Sequence, residues 1–425
     1  PQHRLYALTQ QTQSRRVLIH SFTKMKFNND ILTTDIDLVL INSDAMSDAH
    51  TDRLSSITVI PNNIAYIIFT SGSTGIPKVI QARHENFIHF MNSLVRIDVF
   101  NKDDIVVQIG RCSFDIHVQE ILGTLMHGAT LVMVHPGGTI DFDYLSNTLR
   151  VKQITYMFMV PSLLQSFFTF IAQSSKTATS KYFRSLCSGG EPFSVQLSIL
   201  IANNSMSKYN VWNYYGPAEI TIACTLHLID VKASSRSIPI GRSLPNYCCL
   251  ILNKFLQSAS VNQEGELFVG GMSVFAGYLR RDDLTAKALV QIDSQVFYRT
   301  GDLVRIDNSG LLHYQGRKDY QIKLHGQRIE LGEIERCLLN ITSIPACVVM
   351  KWNDDYLVAY VQSYHINEEQ LRQHCQSHLP PHMIPSIFII LDKLPLNPNG
   401  KVDRKQLPSS DFSLSTLLSS DKSDT

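Results

Sequence analysis

Apolar and polar positions fall into blocks along the chain, and the block pattern changes twice. Ile64–Thr70 is a short apolar run and predicts a buried strand. His84–Val95 places Phe87, Ile88, Met91, Leu94 and Val95 at helical spacing. Val118–Met126 predicts a second apolar helix, and Thr130–Val134 a strand. Tyr156–Val160 predicts a strand, with Pro161 helping to start the helix after it. Ser185–Ser188, Val195–Ile201 and Tyr209–Trp212 continue as strand, helix and strand. This alternation predicts a largely parallel sheet with helices on its faces.

After about Pro239 turn signals multiply and the strands shorten, at Cys249–Leu252, Glu266–Val269, Leu303–Ile306 and Leu311–Tyr314. A smaller β region attached to the sheet domain is expected there. From Gly332 the pattern resets. Glu333–Leu339 is helical, and Ala346–Lys351 and Tyr356–Gln362 are strands. Asn367 with Gln370 forms a capping-box pattern opening a helix to Leu379, which Pro380-Pro381 ends. The expected fold class is therefore α/β: a large N-terminal domain of mostly parallel, helix-flanked sheets plus a small β region, then a small α+β domain.

Composition narrows the function classes. Of 425 residues, 44% are hydrophobic and 18% charged, which is globular usage. Lys+Arg 38 against Asp+Glu 37 leaves a net charge of +1, with no basic block for nucleic acid. The longest apolar runs, such as Tyr66–Phe69 and Ile387–Leu391, fall far short of a membrane span. The eight cysteines are scattered with no CxxC pair, as in a reducing cytosol, so a cytoplasmic location is expected. Residue 1 is Pro with no leader after it, so the natural N-terminus is expected upstream. Residues 409–425, rich in Ser and Asp, read as a disordered linker.

The strongest chemical signal follows the first strand: Thr70, Ser71, Gly72, Ser73, Thr74, Gly75, Ile76, Pro77 and Lys78. Two glycines allow a tight turn that brings N–H groups to an anion; the hydroxyls and the ammonium add donors. The loop suits a polyphosphate but lacks the Walker spacing. The same residues would also make a flexible hairpin or linker.

Tyr66–Lys78 resembles the phosphate loop of the adenylate-forming enzymes: acyl- and aryl-CoA ligases, luciferases and the adenylation domains of non-ribosomal peptide synthetases. Further segments match that family in order: Asn213–Glu219, Gly265–Gly271, Tyr298–Leu303, Gly316–Glu335 and Leu394–Lys405. The resemblance runs from about Pro1 to Leu407, and the last two segments are most similar to the peptide-synthetase branch. It implies ATP and Mg2+ as cofactors, an amino-acid substrate, and phosphopantetheine on a separate carrier domain, downstream or in trans. Other synthetase domains are implied as partners; a CoA ligase and a non-catalytic nucleotide-binding relic are the alternatives. It implies a large domain over residues 1–316 lacking its usual front segments, a hinge over 317–319 and a small domain over 320–408.

Residue roles carry over by motif position. Asp302 would hold the ribose hydroxyls; by itself it also reads as a turn cap. Asn213 and Tyr215 would meet the adenine edge and face, or simply pack. Glu219 would ligate Mg2+, with a helix-N-terminal Glu as the plainer reading. Arg317 would contact the nucleotide; otherwise it is a surface Arg in a turn. Thr70, Glu219 and Lys401 are the expected catalytic residues. Lys401 would bridge the reacting carboxylate and phosphate, offsetting the repulsion of two anions, or else be a solvated lysine in a charge cluster. Asp319 would be the hinge, or a polar linker residue. Asp115 would pair with a substrate α-ammonium, or cap a helix. Ile116, Gln119, Phe158, Cys187, Gly189, Tyr214, Ile222 and Ala223 would form a mostly apolar wall suited to a neutral side chain; singly, each reads as core. Ala218 stands where the family commonly has Thr or Ser. No carrier motif follows Leu407, so the acceptor is expected elsewhere. His374, His378 and His382 repeat at four-residue spacing with Cys375 among them, but Pro380-Pro381 breaks their common face and argues against a metal site.

Overall fold

The computed structural model describes residues 8–14, 16–20, 37–41, 58–70, 77–205, 208–230, 237–318, 321–352, 356–395, 402 and 404–408. The expected linker over 409–425 lies outside these residues. The chain forms two compact units, Gln2–Glu330 and Leu331–Thr425.

The larger unit is organised by a seven-stranded sheet. Its strand order is Arg242–Ser243, Thr225–Leu228, Asn210–Tyr215, Ser185–Gly189, Tyr156–Phe158, Ile105–Gln108, Thr130–Met133. The last five strands run parallel, and the first two are antiparallel additions at one edge. Parallel strands need covering on both faces, and the helices supply it. His84–Arg96 buries Phe87, Phe90, Met91 and Leu94 along one stripe, with Glu85 in its first turn and Arg96 in its last. Pro161 sits at the start of Pro161–Ser174, and the Ser194 side chain accepts from the Leu197 N–H to open Val195–Asn203.

Ile64–Thr70 departs from expectation. It pairs antiparallel with Lys78–Arg83, which pairs with Gly277–Tyr278, in a separate three-stranded sheet. Only Ile68 on it is buried. The connection to Lys78 is too short for the helical crossover a parallel pair needs. The β region after Pro239 is antiparallel: Tyr247–Leu252, Glu264–Gly271, Gln295–Ile306 and Leu289–Ile292 in that order, with Leu312–Arg317 also on Gln295–Ile306.

The hairpin Gln321–Leu324/Gln327–Glu330 belongs to the larger unit, whereas the sequence places it in a small domain over 320–408. Ion pairs from Arg328 and Glu330, and a hydrogen bond from the Gly326 N–H to Glu191, tie it there.

The smaller unit stands by itself as an α+β fold. Ala346–Trp352 and Tyr356–Gln362 form an antiparallel pair, Ile387–Leu391 adds in parallel, and the helices are Leu331–Leu339 and Glu368–His378. The Asn367–Gln370 capping box is present in both directions. Among the described residues, no helix is long and apolar enough to cross a membrane.

Candidate active site

Asp302 lies inside the long strand Gln295–Ile306, beside Gly301 at φ +73°, and not in a free turn. The left-handed glycine kinks the strand and turns the carboxylate inward, where it is 5% exposed. Its backbone N–H donates to Thr300 Oγ1 at 3.0 Å. Arg317 Nη1 donates to Oδ1 at 2.8 Å, and the Tyr215 hydroxyl donates to Oδ2. Arg317 is thus an inward partner, not a surface arginine. Lys323 stands over the Tyr215 ring, its Nζ 5.9 Å from the centroid. Burial pulls the Lys323 amine below its usual range, while Asp302 pulls it back up. Asn213 Nδ2 donates to the Pro239 carbonyl at 2.8 Å, which leaves its side-chain oxygen as acceptor.

Glu219 follows the same strand in the one-turn element Ala218–Ile220 and is fully buried. Arg328 Nη1 donates to both carboxylate oxygens, at 3.1 and 2.9 Å, and the Tyr278 hydroxyl donates to Oε1 at 2.8 Å. Burial alone would raise this carboxyl, but Arg328 and Tyr278 hold it below the usual range. This arrangement does not fit Mg2+. Arg328 already neutralises this carboxylate, and a hard cation bound to it would meet the charge of that guanidinium at hydrogen-bond range. Neither Arg328 nor Tyr278 stands out in the sequence; the only local sign is a cation in the short strand Gln327–Glu330.

Thr70 ends its strand with a buried Oγ1 that lacks a hydrogen-bond partner among the described residues. Lys78, across the pair from it, reaches Glu330 at 3.4 Å. Ser71, Gly72, Ser73, Thr74 and Gly75 lie outside the described residues, as do Asp319 and Lys401.

The expected wall residues share one core with Tyr156. Ile116, Phe158, Cys187, Tyr214, Ile222 and Ala223 are all buried in it. Gly189 is required by close approach: a Cβ there would lie 2.7 Å from the Tyr214 carbonyl oxygen. Phe158 meets Tyr214 edge-on at 5.4 Å. The wall is more polar than expected. Gln119 Nε2 donates to the Tyr156 hydroxyl at 2.5 Å, and that hydroxyl lies 3.1 Å from the Tyr214 hydroxyl. Cys187 lies in the same core as both tyrosines, and burial pushes its thiol up to about 12. Gln119 Oε1 has no partner among the described residues. A π-helical turn over Gln119–Gly123 turns both Gln119 and Glu120 inward. Glu120 accepts from the Ile109 and Gly110 N–H groups at 3.1 and 2.8 Å, and burial raises its carboxyl to about 8.

Asp115 precedes Ile116–Val118 but makes no side-chain cap. Its carboxylate accepts from the Ile222 N–H at 3.2 Å instead, from a segment where Thr221 and Ile222 hold φ +59° and +72°. Burial first, with the nearby Glu219 adding to it and the Ile222 N–H working against it, raises Asp115 to about 6. Among the described residues no lysine or arginine forms an ion pair with it. The nearby Tyr66 hydroxyl has no hydrogen-bond partner among the described residues. Asp115 is thus a half-buried carboxylate whose charged form is disfavoured by desolvation.

Residues 3–279 match the AMP-binding enzyme family, and residues 333–401 match the AMP-binding enzyme C-terminal domain. The chain is 36% identical over 355 residues, 82% of its length, to tyrocidine synthase 3 of Brevibacillus parabrevis. It spans 5% to 8% of the length of the first curated relatives it matches. Among solved structures it is similar to the Vibrio cholerae adenylation domain AlmE in complex with glycyl-adenosine-5'-phosphate. The TM-score is 0.80 at 25% identity, covering 99% of this chain and 82% of that one. The o-succinylbenzoate CoA synthetase MenE of Bacillus subtilis, at TM-score 0.79 and 19% identity, covers 96% of this chain and 81% of that one; it shares the fold alone. The chain belongs to the AMP-binding, adenylate-forming enzyme family, and within it resembles the adenylation domains of non-ribosomal peptide synthetases.

Proposed function

We propose that this protein activates an amino acid with ATP as aminoacyl-AMP, releasing pyrophosphate, and then passes the acyl group to a carrier phosphopantetheine thiol. The observation that carries the reading is Asp115, a half-buried carboxylate with a raised pKa and, among the described residues, no lysine or arginine paired with it. A substrate α-ammonium supplies what it lacks, and a fatty or aryl acid does not. The AlmE complex holds an aminoacyl adenylate on the same fold.

In the first step a carboxylate oxygen of the amino acid attacks the α-phosphorus of ATP, and the bond to the bridging β-phosphate oxygen breaks. Asp115 anchors the ammonium end, so the carboxylate is presented at a fixed distance from the wall. Asp302 has lone pairs left on both oxygens to accept from the ribose diol, while Arg317 and Tyr215 fix its orientation. Asn213 offers its oxygen to an adenine donor, and Thr70 its unpartnered hydroxyl to phosphate. Lys401 brings an ammonium between the two reacting anions. In the second step the thiol sulfur attacks the acyl carbonyl and AMP leaves. Asp319 at the 317–319 pivot would turn the 320–408 segment between the steps, and the contacts that Gly326, Arg328 and Glu330 make with the larger unit would have to break for that turn. No step here depends on a metal at Glu219; Mg2+ would enter with ATP. The carrier and the other synthetase domains are the proposed partners, and the cytoplasm the proposed location, supported by eight free cysteines.

Pyrophosphate exchange over a panel of amino acids, fatty acids and aryl acids tests this. Exchange stimulated by an amino acid supports it. Exchange stimulated only by a fatty or aryl acid gives the CoA-ligase reading, and nucleotide binding without any exchange gives the relic.

A further inference from the structure

The smaller unit contains a cluster that the adenylation chemistry does not use. His374 and His378 lie one turn apart on Glu368–His378, and their rings stack at 4.2 Å. Cys337, from the neighbouring helix Leu331–Leu339, faces them. One ligand atom from each of the three lies within 4.8 Å of the others. The sequence argued against a site made with His382, because Pro380-Pro381 breaks the shared face; in the structure the third member is a thiol from another helix. We propose that Cys337, His374 and His378 form a binding site for a late first-row divalent cation, Zn2+ above all.

The ring tautomers support this. His374 Nε2 lies 3.0 Å from the Cys337 carbonyl oxygen, and a carbonyl can only accept, so Nε2 carries the proton. The lone pair is then on Nδ1. His378 Nδ1 lies 2.8 Å from the His374 carbonyl oxygen, so its proton is on Nδ1 and its lone pair on Nε2. An imidazole whose second N–H is anchored on a backbone carbonyl is the arrangement that orients histidine ligands at metal sites. One thiol and two imidazoles are soft to borderline donors, which select Zn2+ or Co2+ over Mg2+ or Ca2+. Tetrahedral coordination brings such atoms to about 3.4–3.6 Å from each other, so the cluster has to close by roughly 1 Å. Cys337 is buried, His374 half-buried and His378 exposed, so solvent reaches the cluster on the His378 side. The cation would link Leu331–Leu339 to Glu368–His378, and binding releases the Cys337 thiol proton.

The test titrates the full reduced chain, free of any histidine tag, with Co2+. The expected result is a near-UV thiolate-to-cobalt band with intense visible bands, both removed by equimolar Zn2+. Cys337→Ser should lose the near-UV band, and Cys375→Ser should keep it. His378→Ala changes an exposed side chain, so its folding is safe; it should weaken Co2+ binding more than about tenfold. A wild-type chain without the near-UV band overturns the proposal. So does a band that survives both Cys337→Ser and His378→Ala; if Cys337→Ser fails to fold, His378→Ala decides alone.

Discussion

Replacing Asp115 by Asn removes a charge and leaves the shape nearly unchanged, so it isolates the electrostatic part of substrate binding. Burial lifts this carboxyl from 3.8 to about 6. That shift corresponds to about 3 kcal/mol of unfavourable charge burial, which an incoming α-ammonium relieves. Removing one partner of a buried, hydrogen-bonded charge pair typically costs about 2–5 kcal/mol, so kcat/KM for the amino acid should fall about 30- to 5,000-fold at pH 8. The pH profile is the sharper readout. Below the folded-state pKa Asp115 is protonated and neutral, and its attraction for ammonium is lost. Wild-type kcat/KM for the amino acid should therefore decline about tenfold per pH unit below about pH 6. Pyrophosphate exchange at saturating ATP, run from about pH 5 to pH 8.5, gives both profiles. Ionisation of ATP is common to both enzymes and cancels in their ratio. That ratio should be large and flat at high pH and shrink toward one at low pH. A ratio independent of pH, or an Asp115→Asn enzyme with wild-type kcat/KM, would refute the ammonium-pairing argument.

Lys401→Ala should abolish adenylate formation while thioester transfer from preformed adenylate is largely kept; single-step assays losing both equally would remove the lysine from its role. Arg328→Ala leaves Glu219 buried and unpaired, so urea unfolding of the larger unit should show a loss of about 3–5 kcal/mol, and an unchanged midpoint would argue against this ion pair. Glu120 has a folded-state pKa of about 8 against an ordinary 4.5, so the native state binds more protons between those values and stability falls as pH rises through them. Glu120→Gln should flatten that decline and be more stable than wild type at pH 8, by up to about 4 kcal/mol. Denaturation midpoints across that range that move in parallel for both proteins would contradict the burial of this carboxyl.

Much of the architecture is legible in the chain because hydrophobic period is a local property. The parallel strands through Asn210–Tyr215, the helix His84–Arg96 and the capping box at Asn367 all follow from spacing over a few residues. The exception, Ile64–Thr70, has a strand's period, and that period says nothing about which strand it pairs with. Asp302, Tyr215 and Arg317 were legible as motif positions, and the fold joins them through Asp302.

Which group partners each inward-facing carboxylate was not legible. Arg328 meets Glu219 across 109 positions of sequence, and Ile222 reaches Asp115 across 107. The polar ring of Gln119, Tyr156, Tyr214 and Cys187 draws on three strands and a π-helical turn. Cys337 joins His374 and His378 only because two helices pack side by side. Period, caps and turn chemistry act over one or two turns of chain, so the amino-acid order determines them directly. The pairing of buried charges and donors depends on strand register and helix packing between distant segments, and only the folded chain decides it.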